Sequence, residues 1–318
     1  MDRAAATSAA RLLISNVEQV IRGKRGAIEA AATALFAGGH LLIEDVPGVG
    51  KTMLGRSFAR SIRGSFKRIQ ATPDLLPSDV TGTAVFNQQS QQFEFIPGPV
   101  FANVVLVDEI NRSTPRTQSA LLEAMDENAV TVDGVRHALP DPLFLIATQN
   151  PLEHHGTYPL PEGQLDRFAL AMDMNYTTVE VEKEIVRAQL ESHPIDELEA
   201  VIDPEEVIGV RKVVSSTHVS DAVLDYTLRL TAKTREHEDI ELGASPRASI
   251  SLVRAAQARA LLDGREYVVP DDVKTLATDS LSHRVVPVAG LRLERGRARK
   301  IVKEIVDGTE VPVTGPPS

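Results

Sequence analysis

In the first half of the chain, short unbroken apolar runs alternate with stretches whose apolar residues recur every three or four positions. The runs His40-Leu41-Leu42-Ile43-Glu44, Val104-Val105-Leu106-Val107-Asp108 and Leu143-Phe144-Leu145-Ile146-Ala147 show no polar alternation. That is the pattern of strands buried on both faces, as parallel strands are in an α/β layer. Phe66 to Thr72 and Phe168 to Met174 are weaker strand candidates. Between them, Leu54, Phe58 and Ile62 fall on one helical face, and Gln118 to Met125 is a second helical stretch. The latter opens with Thr114-Pro115, a capping residue followed by proline at the first helical position.

Two segments interrupt this alternation. Thr83-Ala84-Val85-Phe86 and Phe93-Glu94-Phe95-Ile96 flank a Gln-rich polar turn, and Val130-Thr131-Val132 and Val135 to Leu139 flank Asp133-Gly134. Both predict β-hairpins inserted into an α/β repeat, the second with a favoured two-residue turn. From about Thr177 the strand signal fades. Glu180 to Leu190, Ser220 to Thr231, Pro246 to Leu262 and Pro270 to Leu281 are amphipathic helical patterns. These shifts predict an α/β unit over 1–175, a helical unit over 176–307 and a disordered tail over 308–318, with Pro312 and Gly315-Pro316-Pro317. The Ala-rich start, Met1 to Ala10, reads as a frayed, disordered tail.

Composition narrows the class. The 318 residues leave room for two domains, and 42% hydrophobic with 25% charged residues is ordinary for a globular protein. There is no Cys. That excludes disulfides, thiolate nucleophiles and Cys-based zinc sites, and fits a reducing compartment. No apolar run approaches the roughly 18 residues of a membrane span, and no secretory signal is evident, so a cytoplasmic location is expected. The net charge of -10 disfavours nucleic acid as the partner of the whole surface.

The sharpest chemical signal is Asp45-Val46-Pro47-Gly48-Val49-Gly50-Lys51-Thr52, which follows a predicted strand and opens a predicted helix. That is the context of a phosphate-binding loop. Gly48 and Gly50 let backbone N–H groups turn inward around phosphates, and the helix N-terminus adds partial positive charge. Lys51 can then reach the outer phosphates and the Thr52 hydroxyl can ligate Mg²⁺. The pattern begins with Gly elsewhere, and here Asp45 stands in that place; if it merely starts the turn, Asp45→Gly should be tolerated for nucleotide binding. The second signal is Val104 to Glu109, a strand ending in two carboxylates. Asp108 can hold Mg²⁺ through water while Glu109 orients the attacking water.

Other features bear on the P-loop class. A GTPase would need an Asn/Thr-Lys-x-Asp base-reading motif, and the chain has none. A small-molecule kinase would not explain Asp108-Glu109 or the helical second half. Thr148-Gln149-Asn150-Pro151 ends a strand with an amide able to position water. Gln164-Leu165-Asp166-Arg167-Phe168 places an arginine before the last strand, and Gly243-Ala244-Ser245-Pro246-Arg247 places another in the first turn of a helix. A cation there opposes the helix dipole by about 0.3–1 kcal/mol unless an anion lies close. The plain alternatives are an exposed Arg247 and an Arg167 paired with Asp166 or Glu162. His154-His155 has no third ligand at metal spacing, and the basic run Arg292, Arg295, Arg297, Arg299, Lys300 and Lys303 reads first as the solvated face of a terminal helix.

Taken together, Asp45 to Thr52, Asp108-Glu109-Ile110-Asn111-Arg112, Thr148 to Pro151, Gly156-Thr157-Tyr158-Pro159-Leu160-Pro161-Glu162 and Gln164 to Phe168 resemble the MoxR family of AAA+ ATPases. The resemblance runs from about Val20 to about Pro287. It implies a five-stranded parallel P-loop sheet flanked by helices, a small all-α lid, and a hexameric ring. Both hairpins match those of the clade that includes MoxR proteins, magnesium-chelatase motor subunits and MCM helicases. By that resemblance ATP and Mg²⁺ would be bound by Val46, Pro47, Gly48, Val49, Gly50, Lys51, Thr52 and Met53, with Asp108. Ile21 and Gly23 would lie against adenine. Asn150 would be sensor 1, Arg167 the arginine finger acting on a neighbour's ATP, and Arg247 sensor 2 on the lid. The expected output is remodelling or maturation of a protein client, and MoxR-like proteins are associated with partners carrying von Willebrand factor A domains. The rival readings are a nucleic-acid-dependent motor and a nucleotide-binding switch with negligible turnover.

Overall fold

The computed structural model describes residues 1–150, 156–191, 193–291 and 296–312. His154-His155, Arg292 and Arg295 lie outside them.

Eleven strands and thirteen α-helices are described. The strands are β1 (Leu41–Glu44), β2 (Phe66–Gln70), β3 (Gly82–Asn87), β4 (Gln92–Pro97), β5 (Val104–Asp108), β6 (Ala129–Val132), β7 (Val135–Ala138), β8 (Phe144–Gln149), β9 (Leu170–Met172), β10 (Ile240–Leu242) and β11 (Val286–Pro287). The helices of the first half are α1 (Arg3–Glu18), α2 (Arg25–Phe36), α3 (Lys51–Ser61), α4 (Pro77–Thr81), α5 (Pro115–Glu127) and α6 (Glu162–Leu165). Those of the second are α7 (Val179–Glu191), α8 (Pro194–Glu197), α9 (Pro204–Ser215), α10 (Asp221–Glu236), α11 (Pro246–Leu262), α12 (Pro270–Leu281) and α13 (Arg297–Asp307).

The five expected strands form one parallel sheet in the order β2-β5-β8-β1-β9. Its alternation explains the unbroken apolar runs. Leu41, Ile43, Val104, Leu106, Phe144 and Ile146 join one hydrophobic cluster, while Leu42, Val105, Val107, Leu145 and Ala147 join another on the opposite face. Each of these side chains leaves water completely, a gain of about 1.5–3 kcal/mol for every one larger than Ala147. The first cluster also holds residues of α1, α2 and α3 and continues without a break into α9 to α13. The helical second half therefore rests on the same apolar body as one sheet face.

Both inserted hairpins are present, β3-β4 and β6-β7. Asp133 and Gly134 both take positive φ, 49° and 80°, as the two-residue turn between β6 and β7 requires. The hairpins touch: the Phe95 ring stacks on His137, with centroids 3.8 Å apart. Beyond that stack the first hairpin is apolar and exposed, with Phe93 at 73%.

Three expectations need correction. Met1 to Ala10 is not a frayed tail, because α1 starts at Arg3 under an Asp2 cap and buries Ala6, Ala9 and Ala10. Alanine-rich composition reads as bland in sequence, yet small side chains let α1 pack closely against α2, α9 and α11. The chain also stays packed beyond Gly308. Thr309 is buried and donates from Oγ1 to the Ile305 carbonyl, and Val311 lies against the first cluster; residues 313–318 fall outside the described part. The helical unit is not purely helical, since β10 and β11 pair antiparallel within it. Of the basic run, Arg297 and Arg299 pair with Asp239 and Asp279, while Ile301, Val302, Ile305 and Val306 bury the other face of α13.

Candidate functional site

The loop between β1 and α3 owes its shape to two glycines and a carboxylate. Gly48 and Gly50 have φ of 86° and 98°, and a Cβ at either would meet open space, so glycine is required by conformation rather than crowding. Gly50 occupies the N-cap position of α3, which begins at Lys51. Lys51 Nζ folds back to donate to the carbonyls of Asp45 (2.8 Å) and Val46 (3.2 Å).

Asp45 does more than start the turn. It is buried, and its carboxylate accepts the N–H groups of Val46 (2.7 Å), Met174 (2.7 Å) and Asn175 (2.6 Å). Lys24 completes the tether by donating to the carbonyls of Val49 (2.8 Å) and Asn175 (2.7 Å); burial lowers its pKa, opposed by the charge of Asp45. The loop is thus pinned to the segment after β9. The condition for tolerating Asp45→Gly therefore does not hold, because glycine would leave the N–H groups of residues 174 and 175 without their acceptor.

β5 delivers Asp108 and Glu109 beside that loop. Pro47, Gly48, Gly50, Lys51, Thr52 and Met53 line one hollow of about 380 Å³ together with Asp108, Glu109 and Asn150. Arg68 and Gln70, from the edge strand β2, complete its wall. Asp108 pairs with Arg68 through Oδ2 (2.6 Å) and accepts from the Thr148 hydroxyl through Oδ1 (2.7 Å). The same hydroxyl oxygen accepts the Glu109 N–H (2.9 Å). Glu109 has φ 56°, a left-handed conformation that costs a non-glycine residue about 1 kcal/mol or more. Its Oε2 accepts from Gln70 Nε2 (3.1 Å) and Arg112 Nη1 (2.9 Å), so the carboxylate is aimed from two sides. Asn150 is buried at the end of β8. Val46 packs against the apolar cluster of the sheet face and Val49 is buried within it. Ile21 is buried too, and a Cβ on Gly23 would meet Val181 of α7 at 2.8 Å. Both sit in the chain segment that leads to Lys24, one bond from the loop.

Arg167 and Arg247 are elsewhere. They meet at a second hollow of about 230 Å³, lined also by Asp126, Asp166, Arg254 and Arg284. Asp126 Oδ2 lies 3.2 Å from Arg167 Nε and 3.6 Å from Arg247 Nη2. Arg167 therefore pairs with neither Asp166 nor Glu162, and the anion that offsets the dipole penalty on Arg247 is Asp126. Arg68, Gln70, the Thr148 hydroxyl, Asp126 and Arg284 escaped the sequence reading as site residues. Thr148 was visible only as the start of the Thr148-Gln149-Asn150-Pro151 motif, and Arg68 and Gln70 only as two polar side chains two apart on a strand, which must share one face.

A parallel sheet in this order, a phosphate-type loop after β1 and paired carboxylates after β5 define a P-loop ATPase of the AAA+ class. Residues 40–170 match the ATPase family associated with various cellular activities (AAA), and residues 232–305 match the AAA lid domain. The chain is 49% identical to YeaC of Bacillus subtilis, an uncharacterised protein, over 94% of both chains. It is 39% identical to Chaperone MoxR1 of Mycobacterium tuberculosis over 86% of this chain and 74% of that one. A crystal structure of a candidate ATPase from Cytophaga hutchinsonii superposes with a TM-score of 0.90 at 35% identity, covering 98% of this chain and 97% of the other. The chain belongs to the MoxR family.

Proposed function

We propose that this chain binds ATP with Mg²⁺ in the hollow around Lys51 and hydrolyses it only when Arg167 and Arg247 of another copy reach that ATP. The observation that carries this reading is the separation of the two hollows. Phosphoryl transfer spreads negative charge over the moving group, and cations at those oxygens lower the barrier. Arg167 and Arg247 are both held at Asp126, in a hollow that contains neither Lys51 nor Glu109. A second copy would supply the missing cations, in the ring that the family resemblance implies, hexameric by that resemblance.

The residues present suit the ligands. The left-handed glycines turn the loop backbone toward the hollow, and among the described residues Lys51 bonds only to loop carbonyls that a phosphate would outbid. Thr52 and Asp108 would hold Mg²⁺, which would neutralise charge between the outer phosphates. A cation is already drawn to that carboxylate in the form of Arg68. Glu109, aimed by Gln70 and Arg112, would orient the attacking water, with Asn150 beside it. The Ile21–Gly23 segment would flank adenine, since Lys24 ties it to the loop.

The output we favour is remodelling or maturation of a protein client, one carrying a von Willebrand factor A domain by family resemblance. The chaperone relative supports a protein client, and the exposed apolar hairpin supplies a surface to grip one. Among the described residues no helix is long and apolar enough to cross a membrane. The test mixes Arg167→Ala, which should bind ATP yet be nearly inactive alone, with Lys51→Ala, which should stay mostly empty at an ATP concentration that just fills Arg167→Ala. With subunit exchange confirmed by native mass spectrometry, activity should return in the mixture. Its failure to return would refute the shared site.

A further inference from the structure

A guanidinium taken out of water destabilises the fold unless its donors are met, so a buried arginine marks a joint held in one geometry. Arg284 is such a residue. It ends the short turn of 3-10 helix after α12, and its side chain is only 1% exposed. Nη2 donates to the carbonyls of Phe168 (2.7 Å) and Asp166 (3.2 Å), the residues on either side of Arg167. Nε lies 3.2 Å from Asp166 Oδ1, an ion-pair contact without hydrogen-bond geometry. On its other side, Nη1 reaches the Ala248 carbonyl at 3.5 Å, in the first turn of the helix that carries Arg247.

Neighbours reinforce the joint. His283 Nε2 lies 2.9 Å from the Phe168 carbonyl, and burial followed by the charge of Arg284 holds its pKa down to about 3, so it donates there as a neutral ring. Ser245, the N-cap of α11, donates from Oγ to Asp166 Oδ2 (2.7 Å). Burial pulls the Arg284 pKa down to about 10 against the opposing effect of Asp166, which leaves it charged at neutral pH. The segment bearing Arg167 is thus gripped by residues of the helical unit as well as by Asp126 of α5, and the grip extends to the start of α11.

We propose that Arg284 is the positioning residue that holds Arg167 and Arg247 as a fixed pair, so that both reach a neighbouring subunit's ATP together. The proposal rests on the shared-site reading above. Arg284 touches no reacting atom itself. It acts by fixing the backbone of residues 166 to 168, and a displacement of about 1 Å in a catalytic group is worth about 10²-fold in rate.

The test separates giving a finger from receiving one. Arg284→Lys keeps the charge but loses the planar fork. Placed in the Lys51→Ala chain, which can only donate a finger, and mixed with Arg167→Ala, it should give about 10²-fold less activity than the mixture of Arg167→Ala with Lys51→Ala that keeps Arg284. Placed in a chain with an intact Lys51 and mixed with Lys51→Ala, it should receive a finger and hydrolyse ATP as well as Arg167→Ala does. ATP affinity should be unchanged. Equal donor activity would overturn the proposal, and so would an equal loss on both sides, which is what a merely structural role produces. Ser245→Gly, which keeps Arg284 and removes one bond to Asp166, should show the same asymmetry on a smaller scale and covers the case in which Arg284→Lys does not fold. If Arg167→Ala and Lys51→Ala give no activity together while exchanging subunits, the shared site itself is wrong and the proposal falls with it.

Discussion

The hollow around Lys51 and the hollow around Arg167 differ in how the chain builds them. The first is made of short contiguous motifs, each placed by the end of a parallel strand: residues 45–52 after β1, Asp108-Glu109 after β5, and Asn150 after β8. The second draws Asp126 from α5, Asp166 and Arg167 from the turn before β9, Arg247 from α11 and Arg284 from beyond α12. A site that sits at strand ends keeps its geometry as long as the sheet stands. A site assembled from both halves of the chain reports on how those halves sit together. Hydrolysis that needs both sites, on different copies, would therefore respond to subunit and lid position while binding would not.

Substitutions can break that contrast, and the largest effect is expected at the arginine. Arg167→Ala should lower turnover by about 10³–10⁵-fold with ATP affinity intact, measured by steady-state hydrolysis beside nucleotide titration. A fall in affinity of similar size would place Arg167 in its own subunit's site. Glu109→Gln should slow turnover by about 10²–10⁴-fold, again without loss of binding, because on the proposed reading Thr52 and Asp108 would hold Mg²⁺. Lys51→Ala should weaken ATP binding by about 10- to 150-fold, the worth of a charge-assisted contact of about 1.5–3 kcal/mol. If it left affinity unchanged, the loop would not be holding phosphate.

Two smaller effects sharpen the picture. Asp45→Gly should lower stability by about 1–3 kcal/mol for each buried N–H left unpaired, and denaturant unfolding measures it directly. An unchanged midpoint would mean that water takes over the carboxylate's role. Two buried histidines, both near the Arg167 hollow, contribute to the acid response. His40 accepts the Leu145 N–H at Nδ1 and lies 3.3 Å from the Met125 carbonyl at Nε2; burial lowers its pKa to about 4. His283 is lowered to about 3. Both folded values lie below the unfolded value of about 6.5, so their contribution is whole above that pH and is lost as pH falls from about 6.5 toward about 4. Each should remove about 1.4 kcal/mol per pH unit in that window, and His40→Gln should flatten the slope by that amount.

The sheet was legible because burial on both faces leaves no polar alternation, and each of the five runs predicted as strands became one. The Lys51 loop was legible for a different reason: phosphate chemistry restricts which residues can stand at consecutive positions. Asp126 and Arg284 were not, because a single charged residue on a helix looks the same whether it faces water or a partner far away in sequence. Asp45 lay between these cases. Its departure from glycine was visible, but its three N–H partners come from its own loop and from residues 174 and 175, and only the fold brings them together. α1 was missed because an alanine-rich start carries no strong periodic signal, although alanine is the best helix former.

The most direct test of the central claim is specific ATPase activity across a dilution series of the wild-type chain, with subunit association followed by light scattering in the same samples. The two-copy site predicts activity per chain that rises with concentration in step with association and falls toward zero for dilute monomer, while ATP binding per chain stays constant. Full activity per chain in samples that scatter as monomer would contradict it.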